Sequence, residues 1–214
     1  MFLTDYSNSK NKNDVVYQYA ISQGQFGFSN ITIENLTISV FSDALKVDGI
    51  RIPVSANVQA KIAEYYNCSL ITSKIANLIF ENKDCYVPPI IGSVKDMLSA
   101  EAIVRHSKGI DDYNPTGLVC NTGKHWILDI NTPKGRATNY GWFFEGSSYQ
   151  GIKGVLLGNY RVIQGKGTAH DGNHLDYSQT CVLVSRKCFL DGNEVDIYDV
   201  LKSDNYHLIS DYKF

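Results

Sequence analysis

The run T-A-H-D-G-N-H-L-D-Y-S-Q-T-C, Thr168 to Cys181, holds His170, Asp171, His174, Asp176, Tyr177, Ser178 and Gln179, with Leu175 the only large aliphatic side chain before Val182. A packed helix or strand needs apolar residues at a period of about 3.6 or 2. The run has neither period, so it reads as mostly loop. Directly after it, Cys181-Val-Leu-Val-Ser185 has the continuous apolar pattern of a buried strand. A loop that presents polar side chains from a strand scaffold is a common way to build a site.

Outward from that run, the chain from Thr116 keeps a β pattern. Gly117–Asn121, Trp126–Ile130, Ala137–Phe144 and Gly154–Gly158 read as short strands, and Cys181–Leu190 as the last, turned at Asp191-Gly192. Asp196 then caps a closing helix over Ile197–Leu201. Towards the amino terminus the period changes. Ser55 is an N-cap for a helix carrying Val58, Ile62, Ala63 and Tyr66, and Thr72 caps a second one carrying Ile75, Leu78 and Ile79. Joined by Asn67–Ile71, the two form a helical hairpin. A third helix is expected from about 94 to 106, with His106 at its end. Val15–Ser22, Ile31–Phe41 and a hairpin over Leu45–Ile52, turned at Asp48-Gly49, read as a small antiparallel sheet. Residues 1–13 are polar and are expected to be a mobile lead-in. The expected fold is therefore α+β, an antiparallel sheet with a helical hairpin packed on it, in one domain over 14–214. Pro88-Pro89 offers a division of that domain into 14–90 and 91–214.

A length of 214 residues is enough for a sizeable core without staples. With 43% hydrophobic and 20% charged residues, wholesale disorder is excluded as a reading. The 20 basic and 22 acidic residues give a net charge of -2, so nothing favours a nucleic-acid partner. No apolar run is long enough to span a bilayer, and the first residues lack a secretory pattern. The chain is thus expected in the cytoplasm as synthesised, with virion association or release by lysis as later destinations. Five cysteines, Cys68, Cys85, Cys120, Cys181 and Cys188, are an odd number without CxxC spacing, so they are expected to be free thiols.

Several motifs carry a resemblance. Ile52-Pro53, Gln59–Ala63, Cys68–Lys74, Tyr140-Gly-Trp142 and His170–Leu183 stand in the order found in a widespread family of bacterial and phage-related proteins with Y-G-W and G-H…D-Y-S-H motifs. The chain resembles that family from about residue 45 to 204. The family carries no settled activity, so the resemblance implies a phage-related or bacterial context and no reaction. It also departs from the pattern. The family's G-H-K-K-D falls near Asn121–His125, which places Thr122 and His125 where it has His and Asp, and Gln179 stands where it has the His after D-Y-S.

Three chemistries fit the loop. A metal-assisted hydrolase would use His125, His170, His174 and Asp176 as ligands of zinc, whose catalytic sites keep an open position for water. A thiol route would use Cys181 with His170 as base, because Ser178-Gln-Thr-Cys-Val182 is similar to the S-H-G-C-I/V-R signature of L,D-transpeptidases. Against that signature, Gln179, Thr180 and Leu183 replace its His, Gly and Arg. A serine route would pair Ser178 with His170 or His174 and with Asp176 as orienter. Tyr177, Trp142 and Lys124 are the candidate substrate contacts. The substrate that the resemblance to wall-acting motifs implies is cell-wall peptide. The competing class is a non-catalytic virion or interaction module with a protein partner, using its 14 Tyr as rigid contact surface.

Overall fold

The computed structural model describes residues 1–92, 97–145 and 154–214. Helices α1 (Phe2–Asn8) and α2 (Lys12–Gln23) open the chain, and strands β1 (Phe28–Ile33) and β2 (Leu36–Phe41) follow. Next come β3 (Lys46–Val47), β4 (Ile50–Arg51), α3 (Ala56–Tyr65), β5 (Cys68–Leu70), α4 (Ser73–Glu81) and α5 (Ala100–Asp111). The remainder is β6 (Lys124–Ile127), β7 (Ala137–Glu145), β8 (Val155–Leu157), β9 (Tyr160–His170), β10 (Leu183–Ser185), β11 (Lys187–Leu190), β12 (Asn193–Asp196) and α6 (Ile197–Lys202).

The fold is α+β, and every pairing between these strands is antiparallel. A six-stranded sheet runs β12-β11-β2-β10-β5, with β1 on the remaining edge of β2. β1 covers one edge of β2 from Phe28↔Phe41 to Ile33↔Leu36, so β10 and β11 share the other edge end to end, at Val184↔Val40 and Phe189↔Thr37. A four-stranded sheet runs β6-β7-β9-β8, and β3-β4 form a hairpin. Strands from both sides of residue 90 are interleaved in the larger sheet. One buried apolar cluster reaches from Phe2 to Ile209, with a small satellite of Val87, Ile110 and Val119.

Local sequence explains most elements. Ser55 Oγ accepts the Val58 N–H, Thr72 Oγ1 the Ile75 N–H and an Asp196 carboxylate oxygen the Tyr198 N–H, each satisfying a donor that a helix start leaves free. Asp48 and Gly49 turn the β3–β4 hairpin with φ of 52° and 74°, the sign a two-residue hairpin turn requires. Arg51, fully buried, ties β4 to α5. Its guanidinium donates to Asp43 at 2.7 Å twice, to Asp111 at 2.7 Å and to the Ser107 carbonyl at 3.1 Å. Burial opposes ionisation of Asp43, but the Arg51 bonds outweigh it and hold the carboxyl below its ordinary range.

Several expectations are corrected. The lead-in at 1–13 is instead α1 and the start of α2, with Phe2 and Tyr6 wholly buried. Val15–Ser22 is helical, not a strand. It buries Val16 and Ala20, one turn apart, against α3, so tertiary packing overrides the β-rich composition. Ile31–Phe41 is not one strand but most of a hairpin turned at Glu34, with φ 53°. The connection inside the helical hairpin is β5, a strand of the large sheet. Gly117–Asn121 forms no strand, only a single bridge from Val119 to Cys85. Cys181–Leu190 divides into β10 and β11, because it serves two stretches of β2. The third helix begins at Ala100 and ends at Asp111. Residues 94–96 of its expected start lie outside the described residues, and His106 is buried within it. No helix among the described residues is long and apolar enough to cross a membrane.

Candidate functional site

β9 delivers His170 to its end, and the chain then turns sharply. Asp171 Oδ1 accepts the Asn173 N–H at 2.7 Å, the Asp171 carbonyl accepts the His174 N–H at 3.3 Å, and the Gly172 carbonyl accepts the Asn57 N–H at 2.8 Å. A Cβ on Gly172 would meet the amide end of the Asn57 side chain, which would have to move aside. The turn lays the His174 ring on His170, with centroids 3.7 Å apart and planes 15° from parallel. Trp126 from β6 meets both imidazoles edge-on, at 6.2 and 6.3 Å.

Residues 171–181 lie in no helix or strand, so 168–181 is mostly loop as read, but beyond Leu175 that loop dives inward. Thr168–His170 belong to β9, and every residue from Leu175 to Cys181 is buried. Asp176 Oδ1 accepts both the N–H and the hydroxyl of Ser178, at 2.8 and 2.7 Å, while Oδ2 faces Lys124 Nζ at 3.3 Å. Burial works against the Asp176 carboxylate, yet Lys124 and Ser178 hold its pKa below the ordinary value. The backbones are bound as well. Lys124 N–H donates to the Ser178 carbonyl at 2.7 Å, and Lys124 bridges Gln179 in parallel fashion. A Cβ on Gly123 would run into Thr180 Oγ1 and the Ser178 carbonyl, so only glycine lets the two segments lie this close.

Lys124 Nζ also sits 5.2 Å from the centre of the Trp142 ring. Trp142 has φ 59°, a conformation rare for a bulky residue, and follows Gly141 at φ 132° where the β7–β9 register is irregular. Asn121 binds β7 just beyond this point. Its side chain accepts the Phe143 N–H and donates to the Phe143 and Val87 carbonyls, at 2.7, 2.7 and 2.8 Å. Tyr177 accepts the Gly92 N–H on its hydroxyl and sets its ring edge-on to His106, with centroids 5.3 Å apart. His106 is 2% exposed, and burial, aided by the charge of Arg51, pushes its pKa down to about 4.

Of the expected site residues, His170, His174, Asp176, Tyr177, Ser178, Lys124 and Trp142 form this connected group. The strands on either side of the site, β6 and β10, are not neighbours and belong to different sheets. Lys124 reaches the loop all the same. His125 does not, because successive side chains alternate across a strand and it faces away from Lys124 and Trp126. Its burial pushes its pKa down to about 4. Cys181 is fully buried, and burial pushes its thiol pKa up, so it presents no thiolate. Ser178 is 1% exposed and gives its proton to Asp176 with no imidazole attached, so the serine triad is not assembled. The zinc ligand set does not fit either. An imidazole lone pair lies in its ring plane, and two near-parallel planes direct theirs side by side instead of at one point. Among the described residues no group of three or more His, Cys, Asp or Glu is placed to hold a metal ion.

Of this group His174 alone reaches a cleft of about 560 Å³, lined by Lys10 to Asn13, Met97, Leu98 and Asn173 to Leu175. His174 is the one imidazole in its lining, half-buried, with its pKa held down first by burial and then by the neighbouring His170. It is therefore neutral at pH 7 and able to accept a proton. The lysines and asparagines of the α1–α2 turn were not anticipated, because a polar segment gives no sign of what it docks against. No family model matches the chain, and neither curated proteins nor solved structures yield a match.

Proposed function

We propose that the protein is a hydrolase of cell-wall peptide, in which His174 takes the proton of an attacking water. The observation that carries this reading is the position of His174 in the cleft wall, stacked on His170, with the Lys124–Asp176 pair behind it. A neutral imidazole facing a substrate-sized cleft has the form of a general base. Proton uptake creates a cation against His170, and Asp176 lies on the side that offsets it, since its charge raises the His174 pKa. Lys10, Lys12 and three asparagines in the lining offer ammonium and amide groups to a chain of amides bearing carboxylates. Wall peptide has that chemistry, and the resemblance to wall-acting motifs points the same way. No step is routed through a metal, because the stacked rings do not converge on one.

A second reading has its own support. Ser178 and Cys181 are both withdrawn from solvent, which favours a module that binds such a peptide without cleaving it. Incubation with purified peptidoglycan and stem peptides, followed by mass spectrometry and a binding titration, separates the two. The hydrolase reading expects released fragments that disappear in His174→Ala while the circular dichroism is unchanged. Saturable binding without release gives the module, and neither binding nor release overturns both.

A further inference from the structure

A second polar group lies on the inner side of the Lys124–Asp176 pair. Thr122 Oγ1, Trp142 Nε1, both side-chain atoms of the Gln179 amide and both ring nitrogens of His106 are buried and have no hydrogen-bond partner among the described residues. Their residues are 1%, 7%, 0% and 2% exposed in that order. Each is tied to that pair by a backbone bridge, a ring contact or its place in sequence. Gln179 is the bridge partner of Lys124, Thr122 stands two residues before Lys124, Trp142 lies under its ammonium, and His106 packs on Tyr177 next to Asp176. The same condition recurs at His125 Nδ1 and Thr180 Oγ1, one residue further along the two bridged segments.

Folded proteins satisfy the large majority of buried polar side-chain atoms. Scattered exceptions are unremarkable, but several around one buried ion pair mark a place where the partner comes from outside the chain. Donors and acceptors are balanced: a primary amide offers both, a neutral imidazole offers one of each, a hydroxyl either, and an indole a donor. The central charges, Lys124 and Asp176, answer each other, and the guanidinium of Arg51 beyond His106 is paired with Asp43 and Asp111. An ion would leave half of this set unmatched, whereas an uncharged molecule with both kinds of group would match it.

We propose that the side chains around the Lys124–Asp176 pair form an internal binding site for a small uncharged polar molecule carrying both donors and acceptors. Water and a primary carboxamide are two sources of that chemistry. The site is separate from the cleft, and it stands whether or not His174 is catalytic.

A crystal structure of the full chain at a resolution that shows ordered water, with mass spectrometry of what denaturation releases, tests this. Density within hydrogen-bond distance of the Gln179 amide is expected. A released organic molecule with that density identifies the carboxamide source, and density with none released identifies water. Gln179→Met, similar in length but unable to hold the ligand, is expected to lower the Tm by about 2–4 °C or more. If no density stands against Gln179, the proposal is overturned, and an unchanged or raised Tm for Gln179→Met would agree with that outcome, since removing a truly unpaired buried amide is neutral or stabilising.

Discussion

The side chain of Asn121 is bonded to both backbone groups of Phe143, accepting its N–H and donating to its carbonyl, each at 2.7 Å. An amide here does the work of a neighbouring strand. It satisfies backbone on the edge of β7 that β6 does not reach, since their pairing ends at Lys124↔Gly141, and it leaves Trp142 at φ 59° beside Lys124. Asn121→Ala removes this and also abandons the Val87 carbonyl. Each buried group left unsatisfied costs about 1–3 kcal/mol, so a loss of at least about 3 kcal/mol in denaturant unfolding is expected, with a shift in tryptophan emission. Wild-type stability in the variant would mean that β7 keeps this path without Asn121.

Acid should weaken the fold before the carboxylates titrate. His106 and His125 both have folded pKa values pushed from 6.5 down to about 4, chiefly by burial. Above pH 6.5 neither state binds these protons, and the stability is fully present. Between 6.5 and 4 only the unfolded chain takes them up, so stability falls by about 1.4 kcal/mol per pH unit for each group. Below 4 both states are protonated and this contribution levels off. Urea unfolding at a series of pH values is the measurement, and His125→Gln should make the curve shallower. A flat profile from pH 7 to 4 would contradict the burial of both rings.

The amino-terminal helix is expected to be part of the stability of the whole. Phe2 is wholly buried and packs on Tyr6 and Tyr19, with ring centroids 5.7 and 5.4 Å away. Phe2→Ala should cost about 3–5 kcal/mol, the range for a large aromatic removed from a core. Because α1 leads into the Lys10–Asn13 wall, the variant should also bind peptide less well than wild type when both are folded. An unchanged unfolding midpoint would return residues 1–13 to the status of a tail.

Thiol reactivity should be sharply divided. All five cysteines are free, and of these Cys85 alone is not fully buried. Burial pushes the Cys68 thiol up to about 12 and those of Cys120 and Cys188 to about 11. A thiol reagent should modify one cysteine quickly in the native protein and five after denaturation. Rapid native reaction at Cys181, located by peptide mapping, would revive the thiol route.

Legibility in the sequence followed the range of the forces involved. Ser55, Thr72, Asp196 and the Asp48-Gly49 turn act on backbone within three residues, so their elements could be read directly. α2 could not, because V-V-Y-Q-Y-A-I-S favours a strand locally and becomes helical through packing on α3. β9 was missed for a different reason. Gln164-Gly-Lys-Gly-Thr168 shows no alternation of apolar residues, and its order comes from hydrogen bonds to β7. In the candidate site, the polar run around His170 and Asp176 marked the place. Its burial, and the stacking of the two imidazoles, depend on Asn57, Trp126 and Lys124, which arrive from far along the chain.

The shared edge of β2 has a consequence for the newborn protein. While the chain emerges from the ribosome, β2 can pair with β1 at once, but its other edge must wait for β10 and β11 in the last fifth of the sequence. Until then that edge offers unpaired backbone beside the apolar face of Leu36, Ile38 and Val40. A nascent chain in this state is a natural client for chaperones, and its sheet closes only once β10 and β11 have been made, at the slow pace of long-range strand pairing.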